Sequence, residues 1–214
     1  MESSLNKYIA AHSSAARSEA LEWIEKQTHI HTNYPRMLSG AVQGRFLTML
    51  TQMTHAREVL EIGTFTGYSA VCFAYGLADG GHIDTLEIND ELEYLIREGW
   101  ERAGVSDRIT LHLGDARETL GTLKAAGNEY DLVYIDANKR EYCDYYRTII
   151  EMLRPGGVIL VDDVMLGGKV YEENVSCDKQ TQGLLAFNEL IRKDPRVEVV
   201  ILPIRDGLSI IRKK

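Results

Sequence analysis

Two short stretches hold the residues best placed to do chemistry. In "VYIDANKREY" (133–142) and "GGVILVDDVML" (156–166), an apolar run suited to a buried strand stops abruptly at acids. The first ends at Asp136, with Lys139 three residues on; the second ends at Asp162 and Asp163. If both strands lie in one sheet and end on the same side, three carboxylates and a lysine converge. A cluster of that kind handles charge and protons. Taken alone, an Asp-x-x-Lys turn is more simply a solvated helix start. The elements that carry these residues therefore decide between the two.

A second set of polar residues follows other apolar runs. "EIGTFTGYS" (61–69) contains Glu61, Gly63, Thr64, Gly67 and Ser69, but Phe65 and Tyr68 stand where a dinucleotide fingerprint has its second and third glycines. The close backbone approach that a pyrophosphate needs is therefore missing, and no GxxxxGK[ST] loop occurs. The loop suits a nucleoside ligand without phosphates, or is a plain strand-to-helix turn. Glu87 in "LEIND" lies about 20 residues beyond, where an acid accepts hydrogen bonds from two ribose hydroxyls. Asp90 reads as the N-cap of the helix that follows. In "GDARETL" (114–120), Asp115 and Ala116 are placed to border an adenine ring, and Asp115 also suits an N-cap. Each signal is weak alone; glycine loop, acid and Gly-Asp-Ala in this order form a strong set.

Strands and helices alternate along the chain. A helix is expected from about Leu5 to Thr28 and another after Pro35, carrying Val42, Phe46, Leu47 and Leu50. Strands are expected at 58–62, 82–88, 109–113, 130–136 and 157–163, with helices at 67–78, 90–104 and about 180–193. Alternation of this kind predicts a parallel sheet covered on both faces, a doubly wound Rossmann-like α/β fold. Val197–Leu202 and Leu208–Ile211, separated by Pro203 and Asp206-Gly207, predict an antiparallel hairpin at the end. In such sheets ligands bind beyond the carboxyl ends of the strands, where the acids lie.

The 214 residues fit one domain, 1–214, without a repeat or linker to divide it, and a hydrophobic fraction of 44% is that of a globular protein. No apolar run approaches the roughly 18 residues that cross a bilayer, and the start of the chain lacks the apolar segment of a secretory signal. Cys72, Cys143 and Cys177 are odd in number and form no CxxC pair, which favours reduced thiols and a cytoplasmic location. Cys143, near the polar cluster, reads as a passive helix residue. The net charge of −8 argues against broad nucleic-acid binding. His12, His29, His31 and His55 show no ligand spacing, and Trp23 and Trp100 read as packing residues.

Together these stretches resemble the class I S-adenosylmethionine-dependent methyltransferases. More narrowly the chain is similar, over nearly its whole length, to the metal-dependent O-methyltransferases that include the catechol and caffeoyl-CoA enzymes. "PRMLSGAVQGRFL" (35–47), "LEIGTFTGYSA" (60–70), "VYIDANKREY", "LRPGGVILVDDVMLGGKV" (153–170) and "LPIRDGLSI" carry the resemblance. It implies a sheet of order 3-2-1-4-5-7-6, with the last strand antiparallel, and extra N-terminal helices (1–54) that contribute to an acceptor pocket and cover the cofactor. It also implies that Met37, Ser39, Gly40, Glu61, Gly63, Thr64, Ser69, Glu87, Asp115, Ala116 and Asp136 border S-adenosylmethionine. Glu61 and the helix start at Ser69 would handle the donor's amino-acid moiety.

The same resemblance makes Asp136, Asp162 and Asp163 ligands of a divalent ion, usually Mg²⁺, with Mn²⁺ or Ca²⁺ as substitutes. Carboxylate oxygens suit such hard cations. The family usually has Asp-Asn at 162–163, and its caffeoyl-CoA-type members often have Asp at 138, where this chain has Asn138. The tally of acids and amides is unchanged, but the ion preference is open. Lys139 matches the family's general base. A phenol with pKa near 10 is a poor nucleophile at neutral pH, so metal acidification and a base at Lys139 suit attack on a sulfonium methyl.

The expected enzyme is a cytoplasmic O-methyltransferase acting on a small aromatic with vicinal hydroxyls, and a homodimer built through the N-terminal helices and the loop 165–182. A tRNA hydroxyuridine O-methyltransferase is the second expectation, since O4 and O5 would mimic a catechol. A non-catalytic adenosylmethionine-binding scaffold is the third, disfavoured by the retention of Lys139 and all three acids. Arg205 stands where the family often has glycine, as a solvated turn residue or a contact for an anionic substrate.

Overall fold

The computed structural model describes residues 4–172 and 178–214. Helices α1 (Ser4–His12), α2 (Glu19–His31) and α3 (Gly40–Met53) precede strand β1 (Glu58–Ile62). The chain then runs α4 (Tyr68–Ala74), β2 (His82–Glu87), α5 (Glu93–Ala103), β3 (Ile109–Leu113), α6 (Ala116–Ala125) and β4 (Tyr130–Ile135). It closes with α7 (Tyr142–Met152), β5 (Leu153–Val161), α8 (Lys179–Lys193), β6 (Val197–Leu202) and β7 (Leu208–Lys213). The seven strands form one sheet in the order β3-β2-β1-β4-β5-β7-β6, with β7 antiparallel to both neighbours. The doubly wound topology and the terminal hairpin are as the sequence predicts.

The described residues group into two compact units. Met1–Arg57, Thr64–Ile83 and Asn89–Thr110 belong to the first, and Glu58–Gly63, Asp84–Ile88 and Leu111–Lys214 to the second. In the first, α2 packs on α5 so closely that a Cβ at Gly99 would lie 2.7 Å from Ile24. Trp100 is buried and donates its indole N–H to the Gly67 carbonyl, a packing role as expected. In the second, Tyr142, Tyr146 and Ile149 of α7 and Leu184, Phe187 and Ile191 of α8 bury against Val133, Ile135, Ile159, Val161 and Ile211 of the sheet. Fully burying side chains of this size contributes about 1.5–3 kcal/mol each.

Several local expectations are corrected. The single helix expected from Leu5 to Thr28 is two. Between them Ala16 donates to the Ala41 carbonyl, and Arg45 takes the carbonyls of Ser14 and Ala15. Ser18 then starts α2 as an N-cap, its hydroxyl accepting the Leu21 N–H at 3.2 Å. Asn89, not Asp90, caps the next segment: its Oδ1 accepts the Glu91 N–H at 3.1 Å, and Asp90 opens a short 3-10 turn. The helix expected over 67–78 ends at Ala74, and just beyond it Gly76 is pressed against α3, where a Cβ would lie 2.5 Å from the Thr48 carbonyl oxygen. Strand β5 ends at Val161, leaving both acids beyond it.

Candidate active site

Parallel register brings the acids to one line. Ile62 of β1 is paired with Ile135 of β4, and Ile135 with Val161 of β5. The next residues continue the ladder: Asp136 donates its N–H to the Ile62 carbonyl and Asp162 to the Ile135 carbonyl, both at 2.9 Å. Asp136 and Asp162 thus leave neighbouring strands at the same level, at the carboxyl edge. Gly63 fits beside them because it has no side chain; at φ +100° a Cβ would sit 2.2 Å from the Asp136 carbonyl oxygen.

Lys139 folds back over this edge. Asn138 caps the short 3-10 turn at 139–141, its Oδ1 accepting the Arg140 N–H and its Nδ2 donating to Glu141 at 3.0 Å. The turn sets Lys139 Nζ 3.0 Å from Asp136 Oδ1 and 3.2 Å from Asp163 Oδ2. Asp163 reaches that point from a left-handed backbone, φ +63°. Asn and Asp tolerate this conformation better than other side chains.

Asp162 is held differently. Its Oδ2 accepts from the Tyr134 hydroxyl at 3.0 Å and its Oδ1 from the Asp163 N–H at 2.9 Å. The Tyr142 hydroxyl donates to its carbonyl at 3.3 Å. Burial pushes the Asp136 and Asp163 carboxyls above the ordinary range, with Lys139 opposing the rise in both. For Lys139, burial alone would lower the pKa. Tyr142, Asp136 and Asp163 outweigh it and hold the ammonium above the usual lysine value.

An ammonium within 3.2 Å of two carboxylates marks a point where positive charge is bound. All-oxygen donors at that point fit a hard divalent cation chemically. Among the described residues, however, no group of three His, Cys, Asp or Glu side chains is arranged as a metal site. Asp136 and Asp163 converge on one point, while Asp162 is engaged by Tyr134.

The cofactor candidates of the second unit lie along the same strand ends. Glu61 is fully buried on β1 and accepts the Thr85 hydroxyl at 2.5 Å. Glu87 ends β2, 8% exposed, and its carbonyl accepts the Gly114 N–H at 2.9 Å. Asp115 caps α6 by accepting the Arg117 N–H at 2.8 Å, and Ala116 opens the helix. Hydrogen bonds from the Arg117 side chain lower the Asp115 pKa to about 2. In the first unit, Met37 is exposed at the end of a 3-10 turn, Ser39 and Gly40 begin α3, Thr64 is buried, and Ser69 lies in the first turn of α4.

Tyr134 and Tyr142 escape the sequence reading as site residues. Tyr134 faces Asp162 only because Leu160 pairs with it across β4 and β5, which no local pattern announces. Tyr142 had a weak signal in standing three residues after Lys139, one helical turn on. Burial raises the Cys143 thiol pKa, in keeping with a passive residue. Cys177 lies outside the described residues, as do residues 173–177 of the loop assigned to a dimer contact.

The fold is a doubly wound sheet with its polar residues gathered at the carboxyl edge, and comparison with known proteins gives its class. Residues 11–214 match the family model described as O-methyltransferase, and the chain belongs to that family. The chain is 35% identical over 179 residues to a probable caffeoyl-CoA O-methyltransferase of Dictyostelium discoideum, covering 83% of this chain and 78% of the relative. It is 41% identical over 144 residues to a catechol O-methyltransferase of Mycobacterium tuberculosis, 67% and 64% of the two chains. Among solved structures, an O-methyltransferase of Bacillus cereus in complex with SAH superposes with a TM-score of 0.91 at 32% identity, over 99% of this chain and 98% of the other. Members of this family move a methyl group from S-adenosylmethionine to a hydroxyl oxygen.

Proposed function

We propose that the chain methylates one hydroxyl of a small catechol-like aromatic and needs a divalent cation, Mg²⁺ or in its place Mn²⁺ or Ca²⁺. The observation that carries this is the convergence of Asp136 and Asp163 on one point, the Lys139 ammonium, which lies 3.0 Å from the first and 3.2 Å from the second. Asp136 and Asp163 are the proposed first ligands and Asp162 the third. When bound, the cation supplies positive charge that offsets these carboxylates and acidifies a nearby acceptor hydroxyl. Lys139 is the proposed general base, since only by offsetting its two carboxylate partners does its raised pKa come down to a working value.

Glu87 is proposed to accept hydrogen bonds from the ribose hydroxyls of the methyl donor, with Asp115 and Ala116 beside the adenine. Glu61 and Gly63 complete that lining in the same unit, and Met37, Ser39, Gly40, Thr64 and Ser69 are assigned to the donor on the family resemblance. The acceptor oxygen attacks the methyl carbon in line: an O–C bond forms as the S–C bond breaks, and the sulfur leaves with the electron pair. The names of the similar caffeoyl-CoA and catechol enzymes support a phenolic acceptor. We also propose a single methyltransferase domain, a cytoplasmic location and a homodimer; the solution mass at micromolar concentration checks the last. Among the described residues no helix is long and apolar enough to cross a membrane.

Labelled S-adenosylmethionine offered with a catechol panel and with hydroxyuridine-containing tRNA tests the acceptor. Label in a catechol is expected. Label in tRNA alone would replace the phenolic acceptor with a nucleic acid, and label in neither would remove both.

A further inference from the structure

The turn between β6 and β7 lies against the segment that follows β5. Val164 donates its N–H to the Gly207 carbonyl at 3.1 Å, and Met165 to the Asp206 carbonyl at 2.7 Å. These bonds hold residues 203–207 at the carboxyl edge of the sheet, next to Asp162 and Asp163. Arg205 is exposed in that turn and has φ +49°. A left-handed backbone is strained for a long side chain and easy for glycine or asparagine, so a turn that needed only its shape has better residues than arginine.

We infer that Arg205 determines specificity, selecting phenolic acceptors that carry an anionic substituent such as a carboxylate. Its guanidinium fork, exposed at the rim, suits bidentate pairing with a planar carboxylate, while the acceptor's hydroxyls face Asp136 and Lys139. Without that guanidinium, Asp206, exposed beside it in the turn, would repel an anionic acceptor. The inference rests on the catechol-methylating function proposed above and names the chemistry of its substrate.

The test compares 3,4-dihydroxybenzoate with its neutral methyl ester, which keeps the ring and both hydroxyls. Arg205→Gly relieves the backbone strain and should fold. It should lower the preference for the acid over the ester about tenfold, chiefly through KM, and Arg205→Lys should restore part of it. High salt should shrink the wild-type preference by screening. An equal change in kcat/KM for acid and ester would overturn the inference while leaving catechol methylation standing. If neither compound is methylated, the proposed acceptor class fails. Calorimetric binding of 3,4-dihydroxybenzoate to protein loaded with S-adenosylhomocysteine then decides separately: tenfold weaker binding to Arg205→Gly supports the role of Arg205, and equal binding refutes it.

Discussion

Gly63 and the carbonyl of Asp136 are in contact: a methyl group on Gly63 would overlap that oxygen at 2.2 Å. The ends of β1 and β4 are thus locked together at the position where the first acid of the cluster departs. Gly63→Ala should destabilise the protein by about 2–4 kcal/mol, combining a positive-φ penalty with overpacking. Gly40→Ala, also at positive φ but with open space around it, should cost about 1 kcal/mol. Urea unfolding of the two variants compares them, and equal losses would mean that the Gly63 contact is slack.

Glu87→Ala should weaken S-adenosylmethionine binding ten- to a hundredfold, since charge-assisted hydrogen bonds contribute on the order of 1.5–3 kcal/mol. Turnover at saturating donor should largely recover. Isothermal calorimetry beside steady-state kinetics separates the two effects; a variant with normal affinity would take Glu87 out of the donor site.

How much of this was legible in the sequence depends on the range of the interaction. Period and turn chemistry announced the strands, and the strand ends announced Asp136, Asp162 and Asp163. The split at Ser18 and the cap at Asn89 were hidden, because each depends on which of several adjacent polar residues captures a backbone N–H. The left-handed backbone of Asp163 and the bond from Tyr134 to Asp162 are products of register across β4 and β5, invisible to any window along the chain. Arg205 was conspicuous as a residue, but its place at the carboxyl edge is set by the turn's hydrogen bonds to Val164 and Met165.

Asp163→Asn should stay folded, because asparagine keeps the left-handed backbone at φ +63° at little cost. Asp163→Ala should lose about 1–2 kcal/mol. The Asn variant should stay active with an altered order of preference among Mg²⁺, Mn²⁺ and Ca²⁺, read from activity titrations. An unchanged order would put Asp163 outside the cation site.

Lys139→Met should cut turnover about 10²–10⁴-fold, as loss of a general base does, without weakening donor binding. It also exposes a pH dependence. Without the ammonium, burial lifts Asp136 and Asp163 further above their ordinary value. A group whose folded pKa exceeds its unfolded one loses stability as pH rises through the folded value. The variant's stability deficit should therefore grow as the pH rises above the ordinary carboxylate range toward neutrality, measured by thermal unfolding. A flat difference across that range would show the three side chains to be uncoupled.

The central claim is that Asp136, Asp162 and Asp163 hold a divalent cation on which methyl transfer depends. Its most direct test is the rate of labelled methyl transfer to a catechol before and after EDTA, with donor binding followed on the same samples. Transfer should vanish with the cation, return on adding Mg²⁺, and be absent in Asp162→Ala, while S-adenosylmethionine affinity stays within about threefold, since donor binding is proposed to rest on Glu87 and the glycine loop. An undiminished rate in the chelated protein would contradict the account.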